Sequence, residues 1–255
     1  MSSMIIVASG VGRTFTSQVG LTEALSDMSL SIEAGEFVSI IGPSGCGKST
    51  FLRIVGDLVE PTAGTVRVNG KSTRQARLDR DYGIVFQSPV LYEWRTVIAN
   101  VRLPLELAGR PKAEWDDRSR TLLSLVGLEE FRNHYPSQLS GGMQQRVSIA
   151  RALALNPSIL LMDEPFGALD EISRDRMNRE LLDVWTKTAA TVLFVTHSIA
   201  EAVFLSSRVV VMTPRPGRIA RVVTIDLLRP RSDRIRTDPH FFELVSRVRE
   251  TLSSA

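Results

Sequence analysis

Among its 255 residues the chain has a single cysteine, Cys46. No intrachain disulfide and no four-cysteine metal site can form, and a reducing compartment fits that usage. No apolar run approaches the ~20 residues a membrane-spanning helix needs, so the chain is not expected to cross a bilayer. Residues 1–15 lack a basic stretch followed by a long apolar one, so no secretory signal is expected either. Internal repeats and low-complexity linkers are also missing, which excludes collagen-like and disordered classes. What is present is an ordinary globular balance, 43% hydrophobic and 23% charged, in a chain long enough to bury its own core. The net charge of +3 is unevenly spread. Residues 208–236 hold eight arginines against Asp226 and Asp233, a local charge of +6 that leaves the remainder at −3. A nucleic-acid surface would interleave aromatics with those arginines, and this stretch has none, so no nucleic-acid partner is expected.

Short β-branched runs alternate with helical patterns, which predicts an α/β domain. Residues 37–41 read as a buried strand that runs into a Gly-rich loop and then an apolar-periodic segment, 51–58. Residues 65–68 read as a strand entering a tight turn at Asn69-Gly70, and 83–86 as another strand. From about 93 to 155 strand signals vanish and helical patterns dominate, until Asn156-Pro157 stops the helix. Strands are expected at 158–162, 191–196 and 208–212, and an amphipathic helix at 172–187 with Met177, Leu181, Val184 and Trp185 on one side. Residues 218–225 should form a hairpin with 208–212 across Pro214-Arg215-Pro216-Gly217. A last helix has Asp238 as N-cap and Pro239 at its first position, with Phe241, Leu244, Val248 and Leu252 as the buried stripe. The central helical stretch looks like an insertion into one α/β core.

Gly42-Pro43-Ser44-Gly45-Cys46-Gly47-Lys48-Ser49-Thr50 fits the phosphate-loop pattern G-x-x-x-x-G-K-[ST], with a strand before it and a helix after it. Glycines there let backbone N–H groups converge on phosphate oxygens, and the helix N-terminus adds a positive dipole end. Lys48 would reach the β- and γ-phosphates of ATP, and the Ser49 hydroxyl would bind Mg²⁺. Cys46 in this loop has two readings, a redox switch with a lowered thiol pKa or a small side chain of which only the N–H matters. The run 159–164 is an apolar strand ending in two carboxylates. Asp163 is the metal partner expected of a phosphate-loop protein, and Glu164 is then free to polarise an attacking water.

Leu139-Ser140-Gly141-Gly142-Met143-Gln144-Gln145-Arg146 opens a helix with a Ser cap. Together with the two motifs above, Leu-Ser-Gly-Gly-x-Gln resembles the signature of the ATP-binding-cassette ATPases, and the likeness covers nearly the whole chain. The resemblance implies a P-loop ABC-ATPase fold: a RecA-like core, an antiparallel β portion and an inserted helical subdomain. It implies one nucleotide-binding domain over 1–255, with the helical subdomain at about 93–155 and a short C-terminal hairpin and helix at about 208–255. It also implies roles. Ser140, Gly141, Gly142 and Gln144 contact nucleotide, Gln87 contacts Mg²⁺ and the catalytic water, and His197 touches the γ-phosphate. Ala168-Leu169-Asp170 matches the loop that crosses to a partner subunit. Phe15 resembles the aromatic that stacks on adenine, with a core role as its alternative.

The family architecture implies a head-to-tail dimer of two copies, each completing the other's ATP site. The run Pro89-Val90-Leu91-Tyr92-Glu93-Trp94-Arg95-Thr96-Val97 is either ordinary core or the lining of a cleft for a permease helix; importer subunits of the family carry similar text there. The expected partners are separate transmembrane permease subunits and an extracytoplasmic solute-binding protein, with the chain peripheral on the cytoplasmic face of the membrane. Its tail, 228–234 and 238–241, resembles the nitrate/sulfonate/taurine importer group, which includes pyrimidine-precursor importers. An exporter ATPase with separate membrane subunits stays open. So does a soluble cassette protein, although those relatives usually carry two cassettes or a long coiled coil. The arginine-rich segment is either a solvated hairpin edge protected by charge or a salt-sensitive contact with anionic headgroups or a permease loop.

Overall fold

A computed structural model describes residues 3–17 and 20–255. It divides into two compact units, one of residues up to Asp81 together with Ala190–Ala255, the other Tyr82–Ala189. The first unit opens with β1 (Met4–Ser17), β2 (Gly20–Glu33), β3 (Phe37–Ile41), α1 (Lys48–Val55), β4 (Ala63–Val68), β5 (Lys71–Ser72) and α2 (Thr73–Leu78). The second holds β6 (Tyr82–Val85), α3 (Val97–Leu107), α4 (Lys112–Leu125), α5 (Gly141–Ala152), β7 (Ile159–Asp163) and α6 (Glu171–Thr188). The chain then returns to the first with β8 (Thr191–Val195), α7 (Ile199–Leu205), β9 (Arg208–Met212), β10 (Ile219–Thr224) and α8 (Pro239–Ser253). The architecture is mixed α/β with an antiparallel sheet and a helical subdomain, as expected.

Within the first unit the antiparallel sheet runs β2-β1-β4-β5. Strand β2 shows the period-2 pattern of a half-buried strand. Met28, Leu30 and Ile32 face in, while Ser29, Ser31 and Glu33 face out. In the unit's other sheet β3 lies between β8 and β9, parallel to both, and β10 pairs antiparallel with β9. Strands β3 and β8 are buried at every position, because a parallel strand is covered on both faces and so reads as a continuous apolar run. In the second unit β6 and β7 pair in parallel, and α3 to α6 carry the helical pattern. Asp170 caps α6 by accepting from the Ser173 N–H at 3.0 Å, and Asp238 caps α8 by accepting from His240 N–H at 2.8 Å. Phe241, Leu244, Val245 and Val248 form the buried stripe of α8, with Leu252 half-buried.

Within the arginine-rich segment Arg215, Arg218, Arg221, Arg229 and Arg234 are exposed, but some of the arginines also bind the chain itself. Arg231 is buried, and its guanidinium donates to the carbonyls of Val203, Phe204, Ser206 and Leu227. Arg229 donates to Leu205 O at 2.7 Å, and the Arg236 guanidinium lies 4.2 Å from the Phe204 ring centroid. A helix leaves its last carbonyls without partners, and Arg229 and Arg231 supply donors at the end of α7. Burial, with Arg229 close by, pulls the Arg231 guanidinium down to about 9. Arg208 forks onto Glu36, donating to both carboxylate oxygens. Arg208, Arg229 and Arg231 thus fasten the chain internally, while the rest of the hairpin edge keeps exposed charge.

Candidate functional site

In the first unit the phosphate loop follows β3 and ends at α1. Gly47 is the N-cap of α1, with φ of 104°. A Cβ there would lie 2.6 Å from Leu25 Cδ2 and 2.8 Å from Ala24 O, so both conformation and space demand glycine. Lys48, only 6% exposed, folds back and donates to Gly42 O at 2.9 Å and Pro43 O at 3.1 Å. The ammonium thus sits over the loop's own carbonyls, where a phosphate oxygen is a stronger acceptor. Gly42 is buried, Pro43 half-buried, and Ser44 and Gly45 exposed; Ser49 and Thr50 are half-buried in the first turn of α1. Cys46 is buried, and burial pushes its thiol up despite the nearby Lys48. A reactive thiolate needs the opposite shift, so the environment favours a small inert side chain over a redox switch.

His197 follows β8, and the register pairs Ile40 of β3 with Val195 of β8. His197 and Gly42 therefore leave neighbouring parallel strands at their carboxyl ends, where open α/β sheets place ligands. His197 is exposed, while Thr196 before it is buried, accepts the Ser198 N–H at 3.0 Å and bonds the Glu201 carboxylate. Phe15 is half-buried, with the Arg13 guanidinium 4.5 Å from its ring centroid, which does not make it a core side chain.

In the second unit β6 and β7 pair through Val85 and Met162. Gln87 and the pair Asp163-Glu164 thus emerge from adjacent carboxyl ends. Asp163 is 5% exposed, and Gln87 is exposed. Glu164 has φ of 47°, in the left-handed region that a non-glycine residue occupies at a cost of about 1–3 kcal/mol. Its carbonyl accepts from Gly167 N–H at 3.1 Å, and Pro165 and Phe166 are buried beyond it, so local packing sustains the strain.

Ser140 caps α5 by accepting from Met143 N–H at 3.3 Å. A Cβ on Gly141 would meet nothing within 4 Å, and one on Gly142 only Met177 Sδ at 3.9 Å. Two glycines weaken the start of a helix, and packing within this chain does not require them. Gln144 donates to Pro136 O at 2.9 Å, holding the turn that precedes the helix.

Sequence reasoning missed two positioning side chains on α5. Buried Gln145 donates to Phe86 O at 3.1 Å, the carbonyl just before Gln87. Arg151 donates to Pro89 O at 2.8 Å and Val90 O at 2.7 Å, just after it. The only signal was a long polar side chain on the apolar side of a helix, which by itself does not reveal its acceptor. Beyond this clamp lies an apolar ridge. Val90 is 60% and Trp94 75% exposed, and the Tyr92 and Trp94 rings are 4.9 Å apart. Exposure removes the core reading for Val90, Tyr92 and Trp94, whereas Val97 at the end of the run is buried. Buried Asn100 braces it, donating to the carbonyls of Tyr92, Arg95 and Thr96 and accepting from Tyr92 N–H.

A metal site must be judged from the same donors. Among the described residues no cluster of three or more His, Cys, Asp or Glu side chains forms a cage. Within the second unit the buried Asp163 carboxylate and the Gln87 amide oxygen are hard donors, too few to strip Mg²⁺ of water. They suit an ion that arrives with phosphate oxygens.

Residues 25–167 match the ABC transporter family model. The taurine import ATP-binding protein of Rhizobium johnstonii is 45% identical over 94% of this chain and 93% of its own. The nitrate import ATP-binding protein of Synechocystis sp. is 43% identical over 95% of this chain and 92% of its own. A solved dimeric ATP-binding cassette, MJ0796, in a post-hydrolysis state with ADP and Pi, superposes with a TM-score of 0.76 at 37% identity. That match covers 88% of this chain and all of the other.

Proposed function

The chain belongs to the ABC transporter family and is an ATPase, and from that premise we propose that it energises a multi-subunit importer of a small solute. The braced, exposed ridge at Val90, Tyr92 and Trp94 carries this reading. A rigid apolar patch of that kind is what a docking helix requires. No helix among the described residues is long and apolar enough to cross a membrane. In the proposal the permease is therefore a separate pair of transmembrane subunits, served by an extracytoplasmic solute-binding protein, and this chain sits on their cytoplasmic face. The names of the relatives support import. Taurine and nitrate relatives are almost equally similar, so the solute is proposed only as one of the nitrate/sulfonate/taurine or pyrimidine-precursor type.

The two units together form one nucleotide-binding domain in this proposal. Phosphoryl transfer asks for positioning and charge stabilisation more than covalent chemistry. Phe15 stacks on adenine. The backbone N–H groups of 42–50 cradle the phosphates, and Lys48 leaves Gly42 O and Pro43 O for the β- and γ-phosphates. Ser49, Gln87 and Asp163 would hold Mg²⁺, which would neutralise charge on the phosphate oxygens. Glu164 polarises the attacking water, which Gln87 helps to orient, and His197 contacts the γ-phosphate. The open space before Gly141 and Gly142 is left for the γ-phosphate bound by a second copy, which receives the positive end of α5. ATP thus closes a head-to-tail dimer and hydrolysis releases it.

Replacing Trp94 with glutamate tests the docking face. Its side chain is mostly exposed, so the variant should melt within about 2 °C of the native subunit. Recovery with the co-expressed permease from detergent extracts should fall at least about tenfold, because a charge would be buried in an apolar contact. Undiminished recovery would remove the ridge from the interface.

A further inference from the structure

The turn between β9 and β10 closes over the outer side of the phosphate loop. Arg215 donates to Gly45 O through both Nε, at 3.2 Å, and a terminal nitrogen, at 3.0 Å. Two residues on, a Cβ at Gly217 would lie 2.0 Å from Cys46 O, so that carbonyl occupies the space of the missing side chain. The turn is itself pinned. Gly217 N–H donates to Ala24 O, and Gly217 O accepts from Ser26 N–H, each at 3.0 Å. Thr213 Oγ1 donates to Pro216 O at 3.2 Å and accepts from Arg218 N–H at 3.0 Å. The guanidinium is therefore presented from a rigid support, although Arg215 itself is exposed.

A trans peptide is planar, with its carbonyl and the following N–H on opposite sides. Holding the carbonyls of Gly45 and Cys46 against the turn therefore directs the N–H groups of Cys46 and Gly47 away from it. Successive N–H groups so aligned around a left-handed residue make an anion nest, and Gly45 and Gly47 have φ of 75° and 104°. A glycine at such a position moves easily between conformations, so an external anchor on the Gly45 peptide has something to restrain. Cys46 N–H reaches Pro43 O only at 3.3 Å, a weak contact that a phosphate oxygen displaces readily.

We propose that Arg215 is a positioning residue for nucleotide binding, fixing the Gly45–Cys46 peptide so that the phosphate loop is preorganised before ATP arrives. The proposal deepens the ATPase reading and rests on it. Arg215 contacts loop backbone and acts on the phosphates through that peptide.

The test is titration of the purified full chain with a fluorescent ATP analogue, beside its melting temperature and kcat. Arg215→Ala should weaken binding about five- to tenfold, less than the loss of a charge-assisted hydrogen bond made directly to the nucleotide, because Arg215 acts through the loop. Its melting temperature should stay within about 2 °C, and kcat at saturation within about threefold. Arg215→Lys, which keeps a single charged donor, should recover at least half of the lost affinity on a logarithmic scale. Native-like affinity in Arg215→Ala would overturn the proposal. So would a loss that tracks a fall in melting temperature equally in both variants, since that marks a merely structural role. If the native chain bound no nucleotide, the ATPase reading itself would fail, which is distinguishable from the failure of Arg215 alone.

Discussion

Glu164→Gln is expected to bind ATP with close to native affinity, lose about 10³-fold in turnover, and accumulate as an ATP-bound dimer. The substitution is isosteric, so Pro165, Phe166 and the Glu164 O to Gly167 N–H bond can hold the same left-handed backbone. What is lost is a carboxylate able to take a proton from water. Removing a positioned general base costs typically 10²–10⁴-fold. The phosphate loop and its lysine are untouched, so binding persists. A dimer that closes on ATP and opens on hydrolysis then has no way to open. Steady-state phosphate release and size-exclusion chromatography with ATP check both halves. Native turnover in the variant would remove Glu164 from the role proposed for it.

Lys48→Ala is expected to weaken ATP binding by at least about a hundredfold, and ADP binding by less because ADP has no γ-phosphate, with hydrolysis lost as a consequence. The ammonium donates to Gly42 O and Pro43 O, so it is held at the mouth of the loop and needs no large rearrangement to take phosphate oxygens. Two charge-assisted hydrogen bonds at about 1.5–3 kcal/mol each account for that loss. Lys48→Arg should not rescue binding. The side chain is only 6% exposed, and a planar guanidinium is bulkier and presents a different donor geometry. Isothermal titration with both nucleotides measures the effect; affinity within threefold of native in Lys48→Ala would contradict the placement of the phosphates.

The elements that carry most of this chemistry were legible because their signals are local. A run such as Phe-Val-Ser-Ile-Ile followed by a glycine-rich loop declares a buried strand and a turn without reference to distant residues, and β7, β8, α6 and α8 declared themselves in the same way. Strands β1 and β2 did not. β1 is broken by register shifts between Ala8 and Val11, with Gly10 and Gly12 inside it. Its partner was visible only as the alternation of Met28, Leu30 and Ile32, which the linear reading passed over. Long-range acceptors were equally hidden. Arg231 looked like surface charge until the carbonyls at the end of α7, more than twenty residues earlier, were seen to surround it. Gln145 and Arg151 grip the backbone on either side of Gln87 from about sixty residues away. The strain at Glu164 was invisible for another reason, since nothing in Asp-Glu-Pro announces a left-handed backbone.

In the proposed function ATP is hydrolysed at a site which a second copy of the chain completes. The most direct measurement is the specific rate of MgATP hydrolysis by the purified chain across a wide range of protein concentration. A shared site predicts a specific rate that climbs with concentration and levels off as monomers pair. A specific rate that is constant from the lowest concentration at which the protein is monomeric would mean that one chain holds the whole site, and would contradict the account.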